Sequence, residues 1–292
     1  MATAAPLIKD VLSIFKLRIA VTIMLSAIGG AAITPGPMPE LWRILILGSA
    51  VFLASASAGA FNQWAEADLD RQMSRTKTRP FASGRFEANT AWLVAILALL
   101  AVAVVLAAWV ANLWAALHTF MGAFIYGIVY TVWLKRRSWT NIVVGGLAGS
   151  FAVLAGSAAV NPYLPIEPLL LTLVIFLWTP PHFWSLAIAA RENYASASVP
   201  MLPVVAGDLV TAKVVLAHTA LLVVLSLLPV FWSMGLIYLA GAAIGGAIFV
   251  WTSIQLVLDP SRKRAIRNFL ASLLQLVLLL AGTIADRAIG AF

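Results

Sequence analysis

Nine apolar runs, each long enough to cross the roughly 30 Å of bilayer hydrocarbon as a helix of about 20 residues, leave this chain very few folds. They lie near 12–33, 43–65, 89–110, 113–134, 141–160, 167–190, 210–231, 235–258 and 266–289. Inside hydrocarbon the backbone must satisfy its own polar groups, so runs of this length are helices and the expected fold is an all-α polytopic membrane protein. With 62% hydrophobic and only 10% charged residues, a water-soluble domain is excluded. The net charge of +8 raises nucleic acid as a partner. Its short basic clusters between apolar runs fit topology signals and phosphate-bearing ligands instead, so we expect membrane lipid around the chain and no nucleic acid. Cysteine is absent, which rules out disulfides and thiolate metal sites; a metal would sit on oxygen or imidazole.

Most connections are short and punctuated, as at Thr34-Pro-Gly-Pro and Asn161-Pro-Tyr-Leu-Pro, and only 66–88 and 191–209 are long. Alternating the connections puts Lys9, Lys16, Arg18, Arg71, Arg75, Lys77, Arg79, Arg85, Lys135, Arg136, Arg137, Arg191, Lys213, Arg262, Lys263, Arg264 and Arg267 on one side. Only Arg43 and Arg287 fall on the other. The rule that cytoplasmic flanks carry Lys and Arg then predicts a cytoplasmic N-terminus, a C-terminus on the opposite side, and both long loops in the cytoplasm. The opening MATAAPLIKDV has neither the apolar region of a cleaved signal nor a transit peptide's Arg and Ser, which predicts a bacterial-type inner membrane with the first span retained.

A charge cluster interrupts this pattern at the end of the second run, NQWAEADLDRQMSRTKTRP over 62–80. Carboxylates near hydrocarbon are costly and are kept where they bind something. If the second helix continues through residue 70, Asn62, Glu66 and Asp70 recur every four residues and share one face, about 6 Å apart along the axis. Two carboxylates and an amide suit a hard divalent cation, Mg²⁺ above all, which takes a few carboxylates plus phosphate oxygens of a substrate. Arg75, Lys77 and Arg79 follow, with Arg71 ahead of them, and would neutralise phosphate oxygens left over, arginine doing so with two bonds. Solvated helix-end acids and a topology anchor form the plainer reading. Asp68, off that face, suits it as well as a site role.

Two further segments belong to the same side. LWTPPHFWSLAIAARENYASASVPMLPVV (177–205) places Pro180 and Pro181 inside an apolar span, where they should kink the helix and free carbonyls; a membrane tolerates this only against protein or a cavity. His182 follows with Trp178 beside it, as a packed residue or a substrate contact. Arg191, Glu192 and Tyr194 emerge at the level of Asp70, where they would complete a metal and phosphate site from the opposite wall. Lys135, Arg136 and Arg137 precede Asn141 and the run Gly145-Gly146-Leu-Ala-Gly149, which reads as close helix packing first and ligand approach second. Arg262 to Arg267 read as topology alone, and His118 and His218 as structural.

These residues resemble a family. Asn62, Glu66, Asp68, Asp70, Met73, Arg75, Thr76, Arg79 and Pro80, with YTVWLKRRSWTNIVVGGLAG (130–149), WTPPHFWSLAI (178–188) and YASASVPMLPVV (194–205), are similar to UbiA-type intramembrane prenyltransferases, in the pattern of their haem-farnesylating branch. The likeness spans roughly residues 10–290. It implies one transmembrane domain over 1–292, with nine helices around a central cavity open to the cytoplasm, and farnesyl transfer from farnesyl diphosphate to the 2-vinyl group of haem b. By the same likeness Asn62, Glu66 and Asp70 would hold Mg²⁺ or Mn²⁺, joined by Glu192. Arg75, Lys77, Arg79, Lys135 and Arg191 would bind diphosphate; His182, Trp178, Asn141 and Tyr194 would line the substrate pocket. The chain departs from the family at Asn193, usually Asp, at Ser198, usually Gly, and at Ala152-Val153, usually Pro-Pro. A sister enzyme prenylating an aromatic acid or quinone precursor shares the acid motif. A secondary transporter would hold its ion ligands near the midplane, and a haem chaperone would not need the acid row.

Overall fold

The structure is a computed structural model that describes residues 4–290, and every regular element among them is helical. Eight of the described helices are long and apolar enough to span a membrane, nine when one bent pair counts as a single span. The pair is α1 (Ala4–Ile14) and α2 (Leu17–Ile33), bent by 43°. At the bend Lys16 takes φ 49, ψ 46, a left-handed conformation that costs an ordinary residue roughly 1–2 kcal/mol.

The second span, α3 (Leu41–Ala65), does not run unbroken through residue 70. Glu66 opens to φ −107, ψ 15 before α4 (Ala67–Gln72) resumes. The ladder survives the interruption, with Glu66 N donating to Asn62 O at 3.0 Å and Asp70 N to Glu66 O at 2.8 Å. The four-residue backbone spacing is therefore preserved across the break.

Next come α5 (Thr90–Val110) and α6 (Leu113–Phe124). Asparagine side chains cap both, Asn89 accepting from Trp92 N at 3.2 Å and Asn112 from Ala115 N at 2.9 Å. Beyond α6 the span continues as a π-helix over Ile125–Leu134, the wider winding that often marks a functional stretch. Tyr126 and Tyr130 stack there, ring centroids 5.4 Å apart. Then α7 (Asn141–Gly145) and α8 (Leu147–Val160) form one span with a brief interruption at Gly146.

The kink expected at Pro180-Pro181 is not a break, because α9 (Ile166–Ala189) remains helical through both prolines. Ser185 Oγ donates to Pro181 O at 2.6 Å, and Gly146 brings its backbone up to the Phe176 carbonyl that Pro180 cannot bond. After α9 come α10 (Arg191–Ser196), α11 (Leu202–Ala206), α12 (Asp208–Leu227) with a 3-10 turn at Leu228–Phe231, α13 (Leu236–Leu258) and α14 (Arg262–Ala288).

Small residues set the closest crossing, α2 on α8: a Cβ added at Gly30 would lie 2.1 Å from Val153 O, and one at Gly156 1.7 Å from Ala27 O. Backbones meet directly there, as lipid-embedded helices require. Large apolar side chains such as Val105, Trp109, Leu221 and Trp251 face outward. Polar ones turn in: Asn268 joins Thr252, Ser253 and Ser185 in one buried network. Between the helices lies a cavity of about 1230 Å³, lined by α1, α2, α3, the α6 span, α8, α9 and α14. Arg75 and Arg85 line its end beside the loop 66–88.

Candidate active site

Asn62, Glu66 and Asp70 are all buried, at 2%, 1% and 2% exposure; Asn62 and Asp70 line the cavity, whereas Glu66 borders a smaller pocket with Asp68, Thr131 and Arg136. Each is held by a different cation. Lys16 Nζ donates to Asn62 Oδ1 at 2.5 Å, Lys135 pairs with Glu66, and Arg79 Nη1 bonds both oxygens of Asp70 at 3.0 and 2.7 Å. Buried carboxylates are stable only when paired in this way.

The sequence places Lys16 among the topology charges, yet it is central here. Its Nζ also donates to Tyr126 OH at 3.1 Å, and Gly59 leaves room for its stem, since a Cβ there would come within 3.3 Å of Lys16 Cβ. Thr131 accepts from Asn62 Nδ2 at 2.9 Å, and Gln63 ties the α1 end to α3 through the Ser13 and Ile14 carbonyls. No local motif announces these partners, because the bend in the first span and the π-helix supply them.

Of the other expected residues, Arg75, Arg79, Lys135, Tyr194, Trp178 and His182 line the cavity together with Asn62 and Asp70. Burial pushes the Tyr194 hydroxyl above its ordinary pKa, and the Arg75 guanidinium beside it offsets part of that rise. His182 stacks between Trp178 and Phe269, ring centroids 4.3 and 4.5 Å away.

The remainder stand apart. Lys77 is exposed and absent from the cavity wall. Arg191 turns to Asp208 at 3.5 Å, and Glu192 is exposed; neither lines the cavity. Asn141 is fully buried behind the wall, its Nδ2 donating to Ser138 O at 2.6 Å. Asp68 lies outside, paired with Arg136 at 2.7 Å, and that guanidinium holds its carboxyl below the usual range.

Asn193, in place of the family's acid, accepts from Ser74 Oγ and so links the two long loops. Ser198 occupies φ 52, a left-handed position where the family's glycine would be free of strain. His118, read as structural, also lines the cavity, stacked on Phe151.

The donor set suits a hard divalent cation that brings phosphate oxygens with it. Among the described residues Glu66 Oε1 is buried without a partner, and every candidate donor in the row is oxygen. Among the described residues no three acid or histidine side chains converge as a closed metal nest. A cation here would need oxygens from elsewhere, the behaviour expected of Mg²⁺ with a phosphorylated substrate.

A model described as the UbiA prenyltransferase family matches residues 23–279. Among curated relatives, protoheme IX farnesyltransferase 2 of Paramagnetospirillum magneticum is 54% identical over 279 residues, covering 96% of this chain and 97% of its own. Protoheme IX farnesyltransferase 1 of the same organism is 44% identical, covering 96% and 98%. Among solved structures, a UbiA homolog from Archaeoglobus fulgidus bound to DMAPP and Mg²⁺ superposes with TM-score 0.69 at 18% identity, over 94% of this chain and 98% of that one.

Proposed function

We propose, from the premise that this chain belongs to the UbiA prenyltransferase family, that it farnesylates haem b to haem O. The single observation that carries the substrate choice is 54% identity over nearly the full length to a protoheme IX farnesyltransferase. The same relationship makes it a multi-pass membrane enzyme. We assign the loops 66–88 and 191–209 to the cytoplasmic side of a bacterial-type inner membrane, from the lysine and arginine asymmetry.

In this reading farnesyl diphosphate lays its diphosphate against Asn62, Glu66 and Asp70, with Arg75, Arg79 and Lys135 on its oxygens and the chain in the apolar cavity. Mg²⁺ held by the acid row would draw charge from the departing diphosphate. The bases that pair with the acids stand ready to turn toward phosphate, which lowers the cost of charge developing on the leaving group. The allylic C–O bond breaks and its electron pair leaves with diphosphate. The 2-vinyl π electrons of haem b bond to farnesyl C1, and water adds to the resulting cation and loses a proton. Tyr126 and Tyr130 would present aromatic faces to the allylic cation.

Supplying the purified chain with farnesyl diphosphate, Mg²⁺ and haem b should yield a product of haem O mass. Product from 4-hydroxybenzoate and none from haem b would replace this reading with the aromatic-acid activity.

A further inference from the structure

His182 is locked in one tautomer. Its Nδ1 lies 2.7 Å from Ser272 Oγ, while that hydroxyl donates to Phe269 O at 2.6 Å. A carbonyl has no proton to give, so the single serine hydrogen is committed to Phe269 and the oxygen can only accept from the ring. Nδ1 therefore carries the proton, and Nε2 is a bare lone pair.

That lone pair is neither used nor sealed. Nε2 takes no partner among the described residues and is not among the buried atoms cut off from space, and His182 lines the cavity. The ring cannot swing away from this aim. Trp178 covers one face with an interplanar angle of 17° and Phe269 the other with 28°, while Trp178 Nε1 is fixed to Ser272 O at 2.9 Å. Phe183 packs on the ring as well, T-shaped with centroids 5.2 Å apart.

A neutral imidazole whose second nitrogen is engaged by a protein oxygen, whose faces are clamped and whose free nitrogen points into a ligand cavity is the arrangement of a metal-ligating histidine. It is iron, carried in by the substrate, that such a nitrogen would meet in haem. The second histidine of the cavity, His118, has among the described residues no bond that fixes its tautomer, and its Nδ1 is buried without a partner there.

We propose that His182 Nε2 is an axial ligand to the iron of the haem substrate, fixing the porphyrin's position in the cavity; this rests on the haem-farnesylating reading. His182 sits about two turns before the end of α9 and shares the cavity with Asn62 and Asp70, so the ligand bond would hold the macrocycle in the same chamber. Ser272, acting through the ring, is a positioning residue.

The test uses the purified full-length chain with haem b and no farnesyl diphosphate. Ferrous wild type should give an iron–histidine stretching band in the resonance Raman spectrum, which H182A and H182Q lose and H118A keeps. Added imidazole should restore a histidine-like Soret band to H182A, and S272A should shift the stretching frequency. Haem that binds wild type without such a band, or H182A and H182Q complexes with the wild-type spectrum, would overturn the ligand assignment and leave farnesyl transfer standing. A wild type that binds no haem, yet prenylates another acceptor, would remove the haem reading and this inference together.

Discussion

Replacing Lys135 with methionine should damage the protein through Glu66 rather than through lost packing. The two side chains are 11% and 2% exposed, so the variant leaves a carboxylate in a dry interior without its counter-charge. Breaking a buried pair from one side costs about 3–5 kcal/mol. Lys16 and Arg79 stand on the same row, on Asn62 and Asp70, and supply part of the missing field. The lower end, about 3 kcal/mol, is the expected loss. At roughly 2–4 °C per kcal/mol for a chain of this order of size, the unfolding midpoint should fall by roughly 6–12 °C. Removing both charges in E66Q/K135M should recover more than half of that fall, since the uncompensated charge is gone. Tryptophan fluorescence during heating in detergent, at one scan rate because such unfolding is irreversible, reads both variants. A K135M midpoint close to wild type, or a double variant that falls as far as the single one, would refute a buried pair at the acid row.

Other expectations follow from the same contacts. S198G should raise stability by about 1 kcal/mol, since glycine relieves a φ of 52 that strains serine; the same thermal assay checks it. R79A should weaken farnesyl diphosphate binding at least tenfold while K77A changes it less than about threefold, since a charge-assisted contact from a guanidinium on the cavity wall is worth more than one from an exposed lysine; calorimetric titration separates them. Arg136 depresses the Asp68 pKa in the fold. The stability the pair contributes is therefore present above the unfolded value of about 4 and is lost as pH falls through the lower folded value. D68N should flatten only that acid limb, by less than about 1 kcal/mol for so exposed a pair.

The spans were legible because a run of about 20 apolar residues has one solution in a bilayer, and their observed limits lie within a few residues of the expected ones. The burial of Asn62, Glu66 and Asp70 was legible because their four-residue spacing at the end of an apolar span is a property of sequence alone, whereas the turn of Glu66 to a separate pocket was not. Lys16 was not: its place depends on a left-handed bend and on Tyr126, which is distant in the chain. Arg191 and Glu192 could not be placed from sequence, because rotation about a helix axis, settled for Arg191 by Asp208, is not a property of spacing. Ser198 is the opposite case, where a departure from the family pattern coincides with a backbone angle that explains the family's preference.

The most direct test of the central claim is the uptake of Mn²⁺ by the purified chain, followed by electron paramagnetic resonance with a non-ionisable farnesyl diphosphate analogue present. The account predicts that wild type takes up Mn²⁺ only with the analogue, and that E66Q and D70N lose this uptake. Equal uptake by wild type and both variants would contradict it.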